Sequence, residues 1–356
     1  MNNIRICAVM LRKIRKVIIK GKIFSKWVKC MDFKSRMLPT KPQYQFRDDE
    51  YYVWCGSAFD FNDKCYLVYS RWKRELGFQA WVTDSEICLA KADNIFGEFR
   101  HVKVLLGKDE DDRRWDASCK HNPTVLQYGG KIYLYYMGNR GNGEWWMHRN
   151  NQRIGCAVAS DPEGVWKRAD KPVIDTSESG FDSLMTSNPT ATCMPDGKVL
   201  MVYKGVANEG ELPKGGAVVC GVAIANSPMG PFVKEAEPIM RNPTNLWSVE
   251  DPFIWWENGM YYSLVKDFHG YFTKTDGIAA ALFESADGIR WRVSDNPLAF
   301  RRELIFEDGH TQKTALLERP QIYFKNGKPA VLLCACAADL DYSDTFNVRI
   351  PLKCAD

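Results

Sequence analysis

The chain repeats itself, and the repeat constrains the fold more than any other feature. A unit of about 65 residues recurs from Tyr52 to the C-terminus. A short apolar strand follows a tight turn at Asn62-Asp63-Lys64, Gly129-Gly130-Lys131, Asp196-Gly197-Lys198, Asn258-Gly259-Met260 and Asn326-Gly327-Lys328. A second landmark closes the first four units: Gly97-Glu98-Phe99, Gly164-Val165-Trp166, Gly230-Pro231-Phe232 and Gly288-Ile289-Arg290-Trp291. Within a unit the pattern is all strand. From Asn188 to Met240, two strands flank an Asp-Gly turn, a β-branched run covers Ala217 to Ala225, and a short strand begins at Phe232. Four strands per unit with a turn signal every ten residues or so describe a propeller blade. The expectation is an all-β, five-bladed β-propeller with four-stranded antiparallel blades. The last unit lacks one strand, which residues 44–54 would supply, so that strands near the two chain ends close the ring.

Charge divides the chain at about residue 40. Residues 1–40 hold eleven of the 48 Lys and Arg and one of the 44 acids, which leaves 37 bases against 43 acids in the remainder. Residues 1–40 are therefore expected as a basic extension and residues 41–356 as the propeller. Ile4, Ala8, Leu11, Ile14 and Ile18 fall on one helical face, which predicts an amphipathic helix able to lie on an anionic membrane surface through residues 1–30. The plainer readings are a disordered extension, or translation starting at Met31 or Met37. The apolar run Ile6–Leu11 is too short for a signal core and meets Arg12 and Lys13. The 12 cysteines lack metal-ligand spacing and lie in apolar strands, as reduced, buried cysteines would. These features lead us to expect a cytoplasmic protein, peripheral at most to the inner face of a membrane. An acidic propeller body argues against nucleic-acid binding.

Counting back from each hairpin turn aligns five segments: Trp54-Cys55-Gly56, His121-Asn122-Pro123, Ser187-Asn188-Pro189, Glu250-Asp251-Pro252 and Glu318-Arg319-Pro320. Four end in Pro, which suits a strand start or edge. A polar ring in an otherwise apolar repeat marks the expected binding site, where inner strands converge at one end of a central channel.

These segments, the Tyr-Tyr hairpins (Tyr135-Tyr136, Tyr261-Tyr262) and the Gly-x-Trp/Phe blade ends resemble the five-bladed propeller glycoside hydrolases. That group includes arabinanases, β-xylosidases, invertase-like enzymes and anhydrogalactosidases. The resemblance covers roughly residues 42–352 and implies carboxyl acid/base hydrolysis of a glycosidic bond. Glu250-Asp251-Pro252 looks like the segment that carries the general acid. Where the family places its other two carboxylates, this chain reads Cys55-Gly56-Ser57, His121-Asn122-Pro123-Thr124 and Ser187-Asn188-Pro189-Thr190. Amides have replaced two candidate acids.

Glycoside hydrolysis needs one protonated carboxyl and one carboxylate with pKa values pushed apart. Glu250 is the expected acid, with Asp116 or Glu318 as the base, and Asp251 and Asp267 nearby. The bland alternatives are an ion pair of Glu250 with Arg319 and a loop-capping role for Asp116. His121, Asn122, Asn188 and Asp251 are expected to contact substrate. Arg140, His148, Arg149, Arg153, Lys204, Lys266, His269 and Arg319 form a cationic set suited to a uronate or sulfated sugar. The plain reading of that set is a solvated rim in which each base pairs with a nearby acid. Trp145-Trp146-Met147-His148 offers a wall on which a sugar ring could stack. An oligosaccharide is the expected partner, with no cofactor and no metal ligands; only a channel ion is left open. A glycoside phosphorylase, or a carbohydrate-binding propeller without activity, stands as the alternative.

Overall fold

A computed structural model of the chain describes residues 31–353, together with the backbone of an antiparallel pair, Arg15–Ile19 with Lys22–Lys26. Arg15–Ile19 and Lys22–Lys26 thus lie on strands where an amphipathic helix was expected. The other residues of 1–30 lie outside the described residues.

Five four-stranded antiparallel sheets form the blades. Blade 1 holds Tyr51–Phe61, Lys64–Lys73, Glu86–Ala92 and Arg100–Leu106. Blade 2 holds Cys119–Tyr128, Lys131–Asn139, Arg153–Ala159 and Lys167–Arg168. Blade 3 holds Met185–Cys193, Val199–Val206, Val218–Ala225 and Val233–Lys234. Blade 4 holds Val249–Glu257, Met260–Asp267, Ala279–Ser285 and Arg292–Arg301. Blade 5 holds Leu316–Lys325, Lys328–Ala337 and Thr345–Pro351, and its fourth strand is Gln45–Phe46, with Asn347 opposite Phe46 and Val348 opposite Gln45.

The hairpin turns that betrayed the repeat are real turns. Asn62, Asp63, Gly129, Gly130, Gly197, Asn258, Gly259, Asn326 and Gly327 all adopt positive φ there, the conformation such turns demand. They share one face of the ring, and the inner strands begin at the other.

The core lies between blades, not within them. Tyr66, Val68 and Leu89 of blade 1 pack on Ile132, Leu134 and Tyr136 of blade 2, and comparable clusters fill each of the other four gaps. Every middle strand is therefore apolar on both faces, which is why strands such as Val199–Val206 read as continuous runs. The nine cysteines among the described residues are unpaired, and all but Cys193 are buried in this core.

Residues 31–40 belong to the folded body, ahead of the expected boundary at 41. Phe33 is fully buried against Trp255, and Arg36 Nη1 donates to both carboxylate oxygens of Glu257, at 2.9 and 3.2 Å. Composition misled here because Lys34 and Arg36 continue the basic count while Phe33 supplies the packing. Glu257 adjoins the Asn258-Gly259 turn, so the described chain enters on the turn face, opposite the inner-strand starts.

Two short helices interrupt the strands on that opposite face: α1 (Trp81–Asp84) and α2 (Trp145–Asn150). Neither spans two turns, too few to show a helical period. Glu144 caps α2 by accepting the N–H groups of Trp146 and Met147.

Candidate active site

The five aligned segments form a ring of identical backbone defects. Cys55, Asn122, Asn188, Asp251 and Arg319 all have φ between 49° and 56°, and in every blade the register shifts across that residue. The four prolines thus sit inside strands, not at their starts, because the bulge removes the ladder bond that proline cannot donate. Left-handed backbone is costly for Cys and Arg, of the order of 1–3 kcal/mol each, and such strain concentrates at functional sites.

The bulge turns these side chains inward, where they bond from blade to blade. The Cys55 thiol donates to Asn122 Oδ1 (2.9 Å), Asn122 Nδ2 to Asn188 Oδ1 (2.7 Å), and Asn188 Nδ2 to Asp251 Oδ1 (2.6 Å). Arg319 Nη1 donates to the same Asp251 oxygen (3.3 Å). Asp251 is the final acceptor of this chain of bonds.

Above this ring lies a cavity of about 190 Å³ with two unlike walls. Blades 3 to 5 supply charge. Lys204 Nζ lies 2.6 Å from Glu250 Oε1, and Lys266 Nζ lies 2.5 Å from Glu318 Oε2 and 3.8 Å from Glu250 Oε2. Blade 1 supplies aromatic surface: Trp54, Trp72, Phe78 and Trp81. His121 stands between, its Nδ1 2.7 Å from Ser85 Oγ and its ring against Trp72 and Trp81. Burial, reinforced by the charges of Arg319 and Lys204, lowers the His121 pKa far enough to keep the ring neutral.

Two neighbouring carboxyls are pushed apart. Burial opposes the charge of Glu250, but the Lys204 and Lys266 ammoniums outweigh it and hold the carboxyl down at about 2. Asp251 moves up to about 6, through burial first and then the charge of Glu250, against the pull of Arg319. The expected pairing of Glu250 with Arg319 is replaced by Glu250 with lysines and Arg319 with Asp251. Trp72 Nε1, Arg319 Nε and Arg319 Nη2 are buried and have no partner among the described residues.

Of the residues named from sequence, Glu250, Asp251, Glu318, Arg319, Lys204, Lys266, His121, Asn122 and Asn188 meet in this cavity. Asp116 does not. It is fully buried, with Oδ2 accepting from Tyr136 (2.7 Å) and Arg168 (3.1 Å) and Oδ1 from Arg114 (3.1 Å). Blade 3 repeats the arrangement: Asp182 accepts from Tyr203 (2.9 Å) and Lys234 (2.6 Å). Each aspartate stands five residues before its inner-strand segment and staples second strand to fourth. Asp116→Asn is therefore expected to cost roughly 2 kcal/mol of stability, seen as a lower Tm, with kcat unchanged. Asp267 is a loop cap, accepting the N–H groups of Tyr271, Phe272 and Thr273. His148 is committed to Asn139 and the Gly143 N–H, His269 is exposed outside the cavity, and Arg140 and Arg153 line a separate groove. Sequence reasoning missed Trp72, Phe78 and Trp81. The clustering of three large aromatics in ten residues, from the end of a strand into the loop after it, was the available signal.

No protein-family model and no curated protein matches this chain. Solved structures do. Zg3597, a family 117 glycoside hydrolase of the marine bacterium Zobellia galactanivorans, is similar over 86% of this chain and 85% of its own, at 20% identity and a TM-score of 0.59. A BT0996 RGII complex is similar over 90% of this chain and 93% of its own, at 15% identity and a TM-score of 0.63. CoXyl43, a GH43 β-xylosidase/α-arabinofuranosidase from a compost metagenome, covers 89% and 95% at 18% identity and a TM-score of 0.56. In its architecture, then, this chain is a five-bladed β-propeller of the kind these glycoside hydrolases share.

Proposed function

We propose that the protein is a glycoside hydrolase that removes a terminal acidic sugar at the channel mouth. The observation that carries this reading is the convergence of Glu250 and Glu318, from adjacent blades, on one ammonium, Lys266, opposite an aromatic wall. The glycoside hydrolases among the solved structures of like fold support the reaction class.

The lysines alter the role expected of Glu250. A carboxyl held near 2 does not carry a proton to a leaving group, so Glu250 is assigned as the ionised partner. Glu318, facing it across Lys266, is assigned as the acid by its position, a role that requires the bound sugar to draw Lys266 away from it. The two Lys266 contacts set an upper bound on the separation of their facing oxygens that admits the ~5–5.5 Å of retaining pairs. The mechanism assigned is a retaining one with Glu250 as nucleophile. In its first step Glu250 bonds to the anomeric carbon as the glycosidic C–O bond breaks, and Glu318 gives its proton to the departing oxygen. Water, deprotonated by Glu318, then releases the sugar. Asp251 is assigned as a positioning residue, holding Asn188 and Arg319 in place.

Size and polarity define the substrate. The cavity is only a little larger than the ~150 Å³ space that encloses a benzene ring, so it suits one sugar ring. The Lys204 and Lys266 ammoniums on the charged wall suit an acceptor-rich group, which a uronate carboxylate supplies. The same donors favour a second reading, phosphorolysis, in which phosphate is the nucleophile and one acid suffices.

The test is a panel of aryl glycosides and oligosaccharides, neutral and uronate-bearing, with and without inorganic phosphate, using the full chain. Phosphate-independent release of a terminal uronate with retained anomeric configuration is the expected result. Turnover only with phosphate would establish the second reading. Binding without turnover under either condition would leave a carbohydrate-binding propeller.

A further inference from the structure

The channel cavity admits one ring, but across α2 lies a far larger concavity. It spans about 770 Å³, within the range of ligand sites, and its walls include Asp112, Trp115, Arg140, Met147, Arg153 and Asp175. It lies on the face where the inner strands begin. The two spaces share α2 as a partition: Trp145 packs at 6.2 Å on Trp81 of the cavity wall, while Met147 lines the groove.

The groove is built, not incidental. His148 Nε2 accepts the Gly143 N–H (2.9 Å) and its Nδ1 lies 2.7 Å from Asn139 Oδ1, which clamps the loop between strand and helix. Asn151 Nδ2 holds the Arg140 carbonyl (2.8 Å), and the Gly141 N–H is held by Ser118 Oγ (3.2 Å). Arg149 ties the far end of α2 to the Lys214 carbonyl (2.8 Å). On this fixed frame the two arginines differ. Arg153 is spent on Asp175 (2.7 Å) and on the carbonyls of Asn150 and Gln152. The exposed Arg140 guanidinium donates to no described residue, and it stands in a groove that also offers an indole, a thioether and the amide of Asn142.

An indole beside amide side chains and an uncommitted guanidinium is the surface that a chain of acidic sugars fits: ring faces on the aromatic, hydroxyls on the amides, a carboxylate on the arginine. We propose that this groove is a second carbohydrate site, which holds the inner residues of an acidic oligosaccharide with Arg140 pairing a sugar carboxylate. The proposal takes its substrate class from the terminal-uronate reading of the channel, which the groove extends to residues beyond the first.

Titration calorimetry of the full chain with trigalacturonate and with galacturonate tests it, on the wild type and on Arg140→Ala. Arg140 bears on no packed neighbour, so the variant is expected to fold. The expected result is trigalacturonate binding weakened at least tenfold by Arg140→Ala, by a factor that shrinks as salt is raised, with galacturonate binding the same in both proteins. Equal trigalacturonate affinity in the two proteins, or no trigalacturonate binding to the wild type, would overturn the groove. Weakened binding in the variant, in a protein that turns over no glycoside, would keep the groove and remove the hydrolase. Turnover with undiminished binding in the variant would do the reverse.

Discussion

Glu250→Gln and Glu318→Gln are each expected to lower kcat by roughly 10²–10⁴-fold on any glycoside the protein turns over, because each removes one of the two reacting carboxyls. The pair can be told apart by leaving group. A substrate with an activated aryl leaving group needs little proton donation, so it should recover much of the loss in Glu318→Gln and little in Glu250→Gln. Lys204 provides a further check through pH. Its ammonium is 2.6 Å from Glu250, and with Lys266 it keeps that carboxyl ionised down to about 2. Lys204→Met removes part of this support, so the Glu250 pKa rises and the acidic limb of kcat/KM moves to higher pH. Stability follows the same sign. The folded pKa of Glu250 lies below the unfolded value of ~4.3, so its contribution is full above that value and is lost as pH falls toward 2. An acidic limb that does not move in Lys204→Met, or full activity in Glu250→Gln, would remove Glu250 from the reaction.

Arg349→Ala is expected to destabilise the protein by roughly 4 kcal/mol, and to lower Tm by about 5–10 °C in a thermal melt. Arg349 is 2% exposed and pairs with no carboxylate among the described residues. Its guanidinium donates instead to backbone carbonyls of two segments: Gln43 (3.0 Å) and Tyr44 (2.9 Å) before blade 5's outer strand, and Ile95 (2.8 Å) and Gly97 (2.7 Å) in blade 1. Burial without a counter-charge pulls its pKa down to about 10, still well above neutrality. The charge is thus held by carbonyl dipoles, with the rings of Phe99 and Tyr44 beside it. Truncation leaves those acceptors buried and unmatched at the seam where Gln45–Phe46 joins the fifth blade. Lysine cannot reach four carbonyls at once, so Arg349→Lys should recover only part of the loss. A melt unchanged in Arg349→Ala would mean that the seam is held by its apolar cluster alone.

The repeat made the fold legible because a propeller is built from local hairpins. Each Asn-Gly or Asp-Gly turn fixes its own strand pair, and five turns in phase leave little choice of architecture. The same phase located Cys55, Asn122, Asn188, Asp251 and Arg319 as equivalent, since counting back from a turn measures distance along one strand. It misread the prolines. A strand interior admits them once a bulge has removed the ladder bond, and no spacing announces a bulge.

What the sequence by itself determined is therefore the blade, the number of blades and the ring of inward residues. Only the tertiary structure decided how the charges pair. Lys204, Lys266, Glu250 and Glu318 come from three blades, and their meeting depends on the radius at which blades pack, which no spacing along the chain encodes. The same is true of Asp116. It stands five residues before the His121 segment just as Asp182 stands before Ser187, yet only the packing of Tyr136 and Arg168 around it turned a candidate base into a staple. Arg140 and Arg153 read as neighbours of the channel until α2, too short to betray a period, placed them on its far side. Local geometry repeats from blade to blade and is written in the sequence, whereas contacts between blades are fixed by burial of the apolar faces.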